Sequence, residues 1–166
     1  MEATSNQRKR LPPRWFIRVA WAVHRAIHRL TGGRRGLWLV RPGRWGTMRI
    51  TTVGRRSGKK RSAILGYYED GPNLVTMAMN GWGASEPAWW LNLQAQPNAE
   101  VELKSGTRPV RARAAVGEER DRLWARFREF GDDPDDYADR RPGQTEVVVL
   151  EPATAAPART RDDGTA

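Results

Sequence analysis

The sequence predicts an α+β domain, mainly β, in which six antiparallel strands curl into one small barrel. Three observations predict it. Short apolar or alternating runs recur between Gly, Pro, Asn and Asp turn signals from about residue 46 to residue 152. Only two segments within that stretch have helical periodicity, too few to cover a parallel sheet. At 166 residues, 39% of them hydrophobic and 29% charged, the chain suits one folded domain.

The elements follow in order. Residues 1–13 are polar and basic and end in proline, the composition of a disordered tail. Residues 14–31 read as an amphipathic helix: Arg14, Arg18, Arg25 and Arg29 share one face, and Trp15, Phe16, Val19, Val23, Ile27 and Leu30 lie opposite. Gly32-Gly33 ends it, and residues 34–47 form a connector without periodicity. Met48–Val53 is a strand, Gly54–Lys60 a basic loop and Arg61–Glu69 a second strand. Asp70-Gly71 turns the chain into Asn73–Met79, a third strand.

Asn80–Ala84 is a Gly-rich turn, after which Ser85 is placed to cap a short helix with Pro87 in its first turn. Ala99, Val101 and Leu103 alternate with charges, as do Val110, Ala112 and Ala114, and Ser105-Gly106 joins the two runs as a hairpin. Glu118–Phe130 is a second amphipathic helix with Leu123, Trp124, Phe127 and Phe130 on one face. An acidic loop holding Tyr137 leads to a last strand, Thr145–Leu150, and a disordered tail. The expected organisation is therefore 1–45 (tail, helix and connector), 46–152 (barrel) and 153–166 (tail).

Charge is unevenly spread. Residues 1–61 hold 17 Lys/Arg and one acid, whereas 62–166 hold 12 Lys/Arg and 18 acids. Such asymmetry calls for an anionic partner: nucleic acid, an anionic membrane surface or a phosphorylated ligand. Aromatic stacking platforms and base-reading motifs are not evident, which counts against nucleic acid. The helix 14–31 suits either an anionic membrane surface or docking on the barrel with its Arg face in water.

There is no cysteine, which removes disulfides, thiolate nucleophiles and cysteine–zinc sites. His24 and His28 are spaced like a metal pair but have no third ligand nearby, so no metal is expected. No apolar stretch is long enough to span a bilayer, and Arg18 and Arg25 interrupt what would be a signal sequence. A cytoplasmic protein is expected, with peripheral attachment to the membrane through residues 14–31 left open.

Two segments could carry chemistry. Gly54-Arg55-Arg56-Ser57-Gly58-Lys59-Lys60-Arg61 sets five cations in eight residues between two strands. It can offer backbone amides, a hydroxyl and guanidinium forks to a phosphate, or it can be a solvated turn. It lacks the order of a Walker loop. Asn80-Gly81-Trp82-Gly83 follows a strand and precedes a helix; its glycines permit close approach of a flat ligand and Trp82 could stack on one, or the segment is an ordinary turn. Trp89 and Trp90 cannot both face one way, so at least one belongs to the core.

These motifs resemble a known family. Thr51-Thr52-Val53-Gly54-Arg55-Arg56-Ser57-Gly58-Lys59-Lys60-Arg61 is similar to the TTxGRKSGxxR segment of deazaflavin-dependent nitroreductases, and Pro87-Ala88-Trp89-Trp90-Leu91-Asn92-Leu93-Gln94-Ala95-Gln96-Pro97 to their PxWxxNLxAxP segment. Val147–Pro152 resembles their closing strand, so the resemblance covers residues 46–152. It implies a split β-barrel of the FMN-binding type and coenzyme F420, a deazaflavin bearing a phosphate and a polyglutamate tail. FMN is the alternative cofactor.

By the same resemblance, Gly54, Arg55, Arg56, Ser57, Gly58, Lys59 and Arg61 would hold the phosphate, with Arg56 and Arg61 pairing it. Ala78, Met79, Asn80 and Gly81 would lie along the ring, on which Trp82 could stack. Read from its place in a polar loop, Tyr137 is a candidate proton donor or a surface tyrosine. The implied reaction is hydride transfer to a quinone, menaquinone first, or to a nitro compound, and a homodimer is a further expectation. Some nitro-reducing members carry serine at Met79, tyrosine at Gly66 and several tyrosines after the second long helix, where only Tyr137 remains here, and these departures count against nitroimidazole reduction.

Overall fold

The computed structural model of the protein describes residues 36–79, 85–130, 134–135 and 143–153. The six expected strands are present: β1 (Gly46–Val53), β2 (Lys60–Asp70), β3 (Asn73–Met77), β4 (Asn98–Leu103), β5 (Gly106–Ala114) and β6 (Val147–Pro152). They close into an antiparallel barrel in the order β1-β2-β3-β6-β5-β4. Helix α1 (Ala88–Ala95) precedes β4, and α2 (Gly117–Arg126) follows β5 and runs into a 3-10 turn at Phe127–Phe130. The helical segments read at 14–31, and the tail 154–166, lie outside the described residues.

Closure depends on a short seam. β1 pairs with β2 along its whole length, from Gly46 opposite Tyr67 to Val53 opposite Lys60. Its pairing with β4 covers only Arg49–Thr51 against Glu100–Glu102. An ion pair between Arg49 and Glu102 lies across this seam.

The inward face of every strand builds one core. Met48, Ile50, Leu65, Tyr67, Leu74, Val101, Val110, Val148 and Leu150 fill the barrel, and Trp89, Trp90 and Leu93 bring α1 onto it. Both tryptophans are buried, which neighbouring positions on one short helix achieve by packing in different directions. A second core lies outside the barrel wall. There Tyr68, Val75, Val147 and Val149 meet Leu123 and Phe127 of the α2 segment, with Trp45 and Phe130 packed against them. Strand β6 therefore buries both faces, the physical reason for its unbroken run Val147–Leu150.

Aromatic contacts order this outer core: Tyr68 stands edge-on to Phe127 with centroids 4.9 Å apart and stacks on Phe130 at 5.4 Å. The Tyr68 hydroxyl donates to the Leu123 carbonyl at 2.9 Å. Asp70, at the end of β2, accepts from Arg122 at 2.9 Å and from Arg126 at 2.7 Å, so two residues of α2 grip one carboxylate.

One local expectation is corrected: Pro87, not Ser85, occupies the N-cap of α1, with extended backbone and no side-chain cap bond. Residues 37–45 form no helix or named strand, but they are held in place: the compact unit begins at Leu37, and Trp38 exchanges two bonds with Thr47. Trp38 accepts from the Thr47 amide at 2.9 Å and its own amide donates to Thr47 Oγ1 at 2.8 Å.

The Asp70 grip has a pH signature. Hydrogen bonds from Arg122 hold the Asp70 carboxyl below its ordinary value of 3.8. A depressed carboxylate stabilises the fold above that ordinary value and ceases to do so as pH falls through the depressed one. Asp70→Asn is therefore expected to melt earlier at pH 7 and to lose less on acidification below about pH 4. Parallel melting curves for the two proteins from neutral to acid pH would refute this.

Candidate functional site

The basic loop joins β1 to β2 as a hairpin, and its conformation follows from its glycines and its internal bonds. The Gly54 carbonyl accepts from the Ser57 amide at 3.2 Å and the Gly58 amide at 2.7 Å, which winds the loop into a tight coil. The Gly54 amide closes it on the Lys59 carbonyl at 2.9 Å. Gly58 takes a positive φ of 64°, where a side chain would be strained.

One side chain from α1 ties the loop down. Asn92 is 5% exposed and lies among the apolar residues of that helix. Its Oδ1 accepts from the Arg55 amide at 3.1 Å and its Nδ2 donates to Thr52 Oγ1 at 3.1 Å. The Thr52 hydroxyl donates onward to the Arg61 carbonyl at 3.3 Å. Thr52 is itself buried.

This arrangement settles which groups of the loop face outward. The amides of Gly54, Arg55, Ser57, Gly58 and Lys59 are engaged within the protein. The side chains of Arg55, Arg56, Ser57, Lys59, Lys60 and Arg61 are exposed. An anion at this loop would meet guanidinium forks, ammonium groups and the Ser57 hydroxyl more than a nest of free amides.

Beside the base of the loop, β1 and β4 splay apart beyond their short seam. A groove of about 490 Å³ opens there, lined by Thr51, Thr52, Val53 and Lys60 on one side and Asn98, Ala99 and Glu100 on the other.

The remaining sequence-predicted residues divide in two. Ala78 is fully buried in the barrel core, and Met79 follows it half-buried, its amide donating to the Met77 carbonyl at 2.9 Å. Asn80, Gly81, Trp82 and Tyr137 lie outside the described residues, as do His24 and His28. Asn92 and Thr52 were not among the residues expected to serve the site. The available signal was an amide set amid Trp89, Trp90, Leu91 and Leu93, because a buried polar group needs partners.

A barrel with a tethered cationic hairpin loop belongs to the split-barrel class of cofactor-binding proteins. The comparisons make that class specific. The family model described as F420H(2)-dependent quinone reductase matches residues 22–152. The chain belongs to this family, and it is an oxidoreductase whose cofactor is coenzyme F420. The match begins at residue 22, well before the motifs read from the sequence.

An F420H(2)-dependent quinone reductase of Mycobacterium tuberculosis is 31% identical over 104 residues, covering 61% of this chain and 68% of that protein. A second protein of the same organism, provisionally given the same name, is 38% identical over 80 residues, covering 48% and 67%. Among solved structures, an F420-H2 dependent reductase aligns with a TM-score of 0.58 at 29% identity, covering 69% of this chain and 97% of that one. A structure described as a domain-swapped dimer aligns at 0.60 and 27%, covering 81% and 99%.

The residues present fit the anionic part of such a cofactor. The loop carries exposed cations and no acid, on a backbone already fixed by bonds that use none of those cations.

The tight coil gives a test of the loop's rigidity. A Cβ at Gly54 would stand 2.9 Å from Ser57 Oγ and 3.1 Å from the Lys59 carbonyl oxygen. Gly54→Ala is expected to cost about 1–2 kcal/mol, lowering the melting midpoint by roughly 2–8 °C. An unchanged melting curve would show that the coil yields without strain.

Proposed function

We propose that this protein reduces a membrane-borne quinone such as menaquinone at the expense of reduced coenzyme F420, whose phosphate is paired by Arg56 and Arg61. The observation that carries the reading is the tethered loop, with both guanidinium groups exposed on a backbone held by Asn92. When bound, the reduced deazaflavin supplies a hydride, which with one proton converts a quinone to its hydroquinone. The protein contributes binding, orientation and electrostatics.

Arg55, Arg56, Ser57, Lys59 and Arg61, with Gly54 and Gly58 shaping the coil, would hold the anionic end. Ala78, Met79, Asn80, Gly81 and Trp82 would border the ring through the chain that follows β3. Tyr137 is the candidate proton donor. Met79 and Gly66 stand where some nitro-reducing members of the resembled family carry serine and tyrosine, which counts against nitroimidazole reduction and leaves the quinone reading untouched.

A membrane-borne acceptor asks for contact with the lipid surface, and one exposed feature favours it. Trp38 and Leu39 are 44% and 45% exposed, beside a tight turn whose Arg41 and Arg44 are also exposed. An indole and an aliphatic side chain flanked by guanidinium groups suit the headgroup layer of an anionic bilayer. No helix among the described residues is long and apolar enough to cross a membrane.

Two measurements test these readings. Fluorescence titration with coenzyme F420 and with FMN should show preference for the deazaflavin, and Arg56→Ala with Arg61→Ala should weaken it about tenfold or more. Equal affinity in wild type and double variant would remove the phosphate assignment. In co-sedimentation, vesicles containing phosphatidylglycerol should capture the protein at low salt and release it as salt rises. Trp38→Ser with Leu39→Ser should reduce capture, and failure of wild type to bind these vesicles would end the membrane reading.

A further inference from the structure

We infer that Asn92 is a positioning residue for the phosphate-bearing tail of the deazaflavin, acting through the basic loop without touching the ligand. The inference rests on the proposed role of that loop.

The loop and its flanks carry five cations between Arg55 and Arg61. Like charges at this density repel one another and would spread an unrestrained hairpin tip. A phosphate gains most from cations already held in place, since ordering them on binding costs free energy. Something must therefore hold the loop, without consuming the cations that are to meet the ligand.

Asn92 meets both conditions. It binds the chain at the loop's entry, through the Arg55 amide at 3.1 Å. It reaches the exit through Thr52, whose hydroxyl takes the Asn92 Nδ2 proton at 3.1 Å and donates to the Arg61 carbonyl at 3.3 Å. Both ends of the cationic run thus converge on one side-chain amide. Every bond in the relay uses a backbone group, the amide or a hydroxyl, so all five cationic side chains stay exposed. The amide's orientation is set by chemistry, because a backbone N–H can only donate and so must face Oδ1.

The helix itself gives no other use for Asn92. Its neighbours Trp89, Trp90 and Leu93 are buried apolar residues, and a leucine at 92 would share their apolar character with a better helix propensity than asparagine. A buried amide is costly unless both its ends are bonded, and here both are bonded to the β1–β2 hairpin. The 37-residue separation of Asn92 from Arg55 makes the tie a long-range link from α1 to the loop.

The test compares two ligands on wild type, Asn92→Leu and Thr52→Val. One ligand is coenzyme F420, and the other is the deazaflavin core lacking phosphate and glutamate tail. Wild type should prefer the complete cofactor. Asn92→Leu should lose about tenfold of that preference, while its affinity for the bare core changes less than about twofold. Its KM for F420H2 should rise with kcat nearly unchanged. Thr52→Val, which breaks only the link to Arg61, should show the same pattern at about threefold.

An unchanged preference ratio in Asn92→Leu would overturn the inference, and so would equal losses for both ligands, which mark a merely structural residue. Should Asn92→Leu fail to fold, an unchanged ratio in Thr52→Val overturns it equally. If wild type itself binds the two ligands alike, the loop does not hold the phosphate, and the inference falls with that reading.

Discussion

The structure turns on how little of β1 is shared with β4. Three residues, Arg49–Thr51, close the barrel against Glu100–Glu102, whereas β1 and β2 pair over eight positions. The seam lies at the middle of β1, and the β1–β2 hairpin continues beyond it as a short two-stranded arm of two pairs, Thr52 with Arg61 and Val53 with Lys60. On one side of that arm lies the groove between Val53 and Ala99, and at its end lies the cationic loop.

An arm that projects from its barrel needs a second support, and α1 provides it. Trp89, Trp90 and Leu93 fasten the helix to the inner core, and Asn92 passes that rigidity to the loop through two hydrogen bonds. Packing and polar bonding are divided along one short helix. The apolar residues supply the burial that places the helix, and the amide supplies direction. Helix α2 is held by the Tyr68 ring cluster and the Asp70 grip, at the end of β2 far from the loop.

Much of the fold was legible in the sequence because the barrel's two burial regimes have distinct patterns. Ala99, Val101 and Leu103 alternate with charges on a strand with one wet face. Val147–Leu150 is continuous because α2 covers the outer face as well. The N-cap of α1 was misread because proline caps by backbone conformation alone, leaving no side-chain signature. The packing of residues 37–45 could not be read, because it runs through irregular backbone bonds and single side chains, for which no period exists. The loop's charge was legible, but its tether was not, since local pattern cannot show that residue 92 meets residue 55.

The ring of strands has a consequence for how copies of this protein can associate. Every described strand has a hydrogen-bonded neighbour on both sides, but β2 pairs with β3 only over Tyr68–Asp70, so Lys60–Tyr67 has no ladder partner on that side among the described strands. A pair of such chains can meet along that edge or exchange a whole segment of backbone. The second route is the one named for one of its structural neighbours, a domain-swapped dimer.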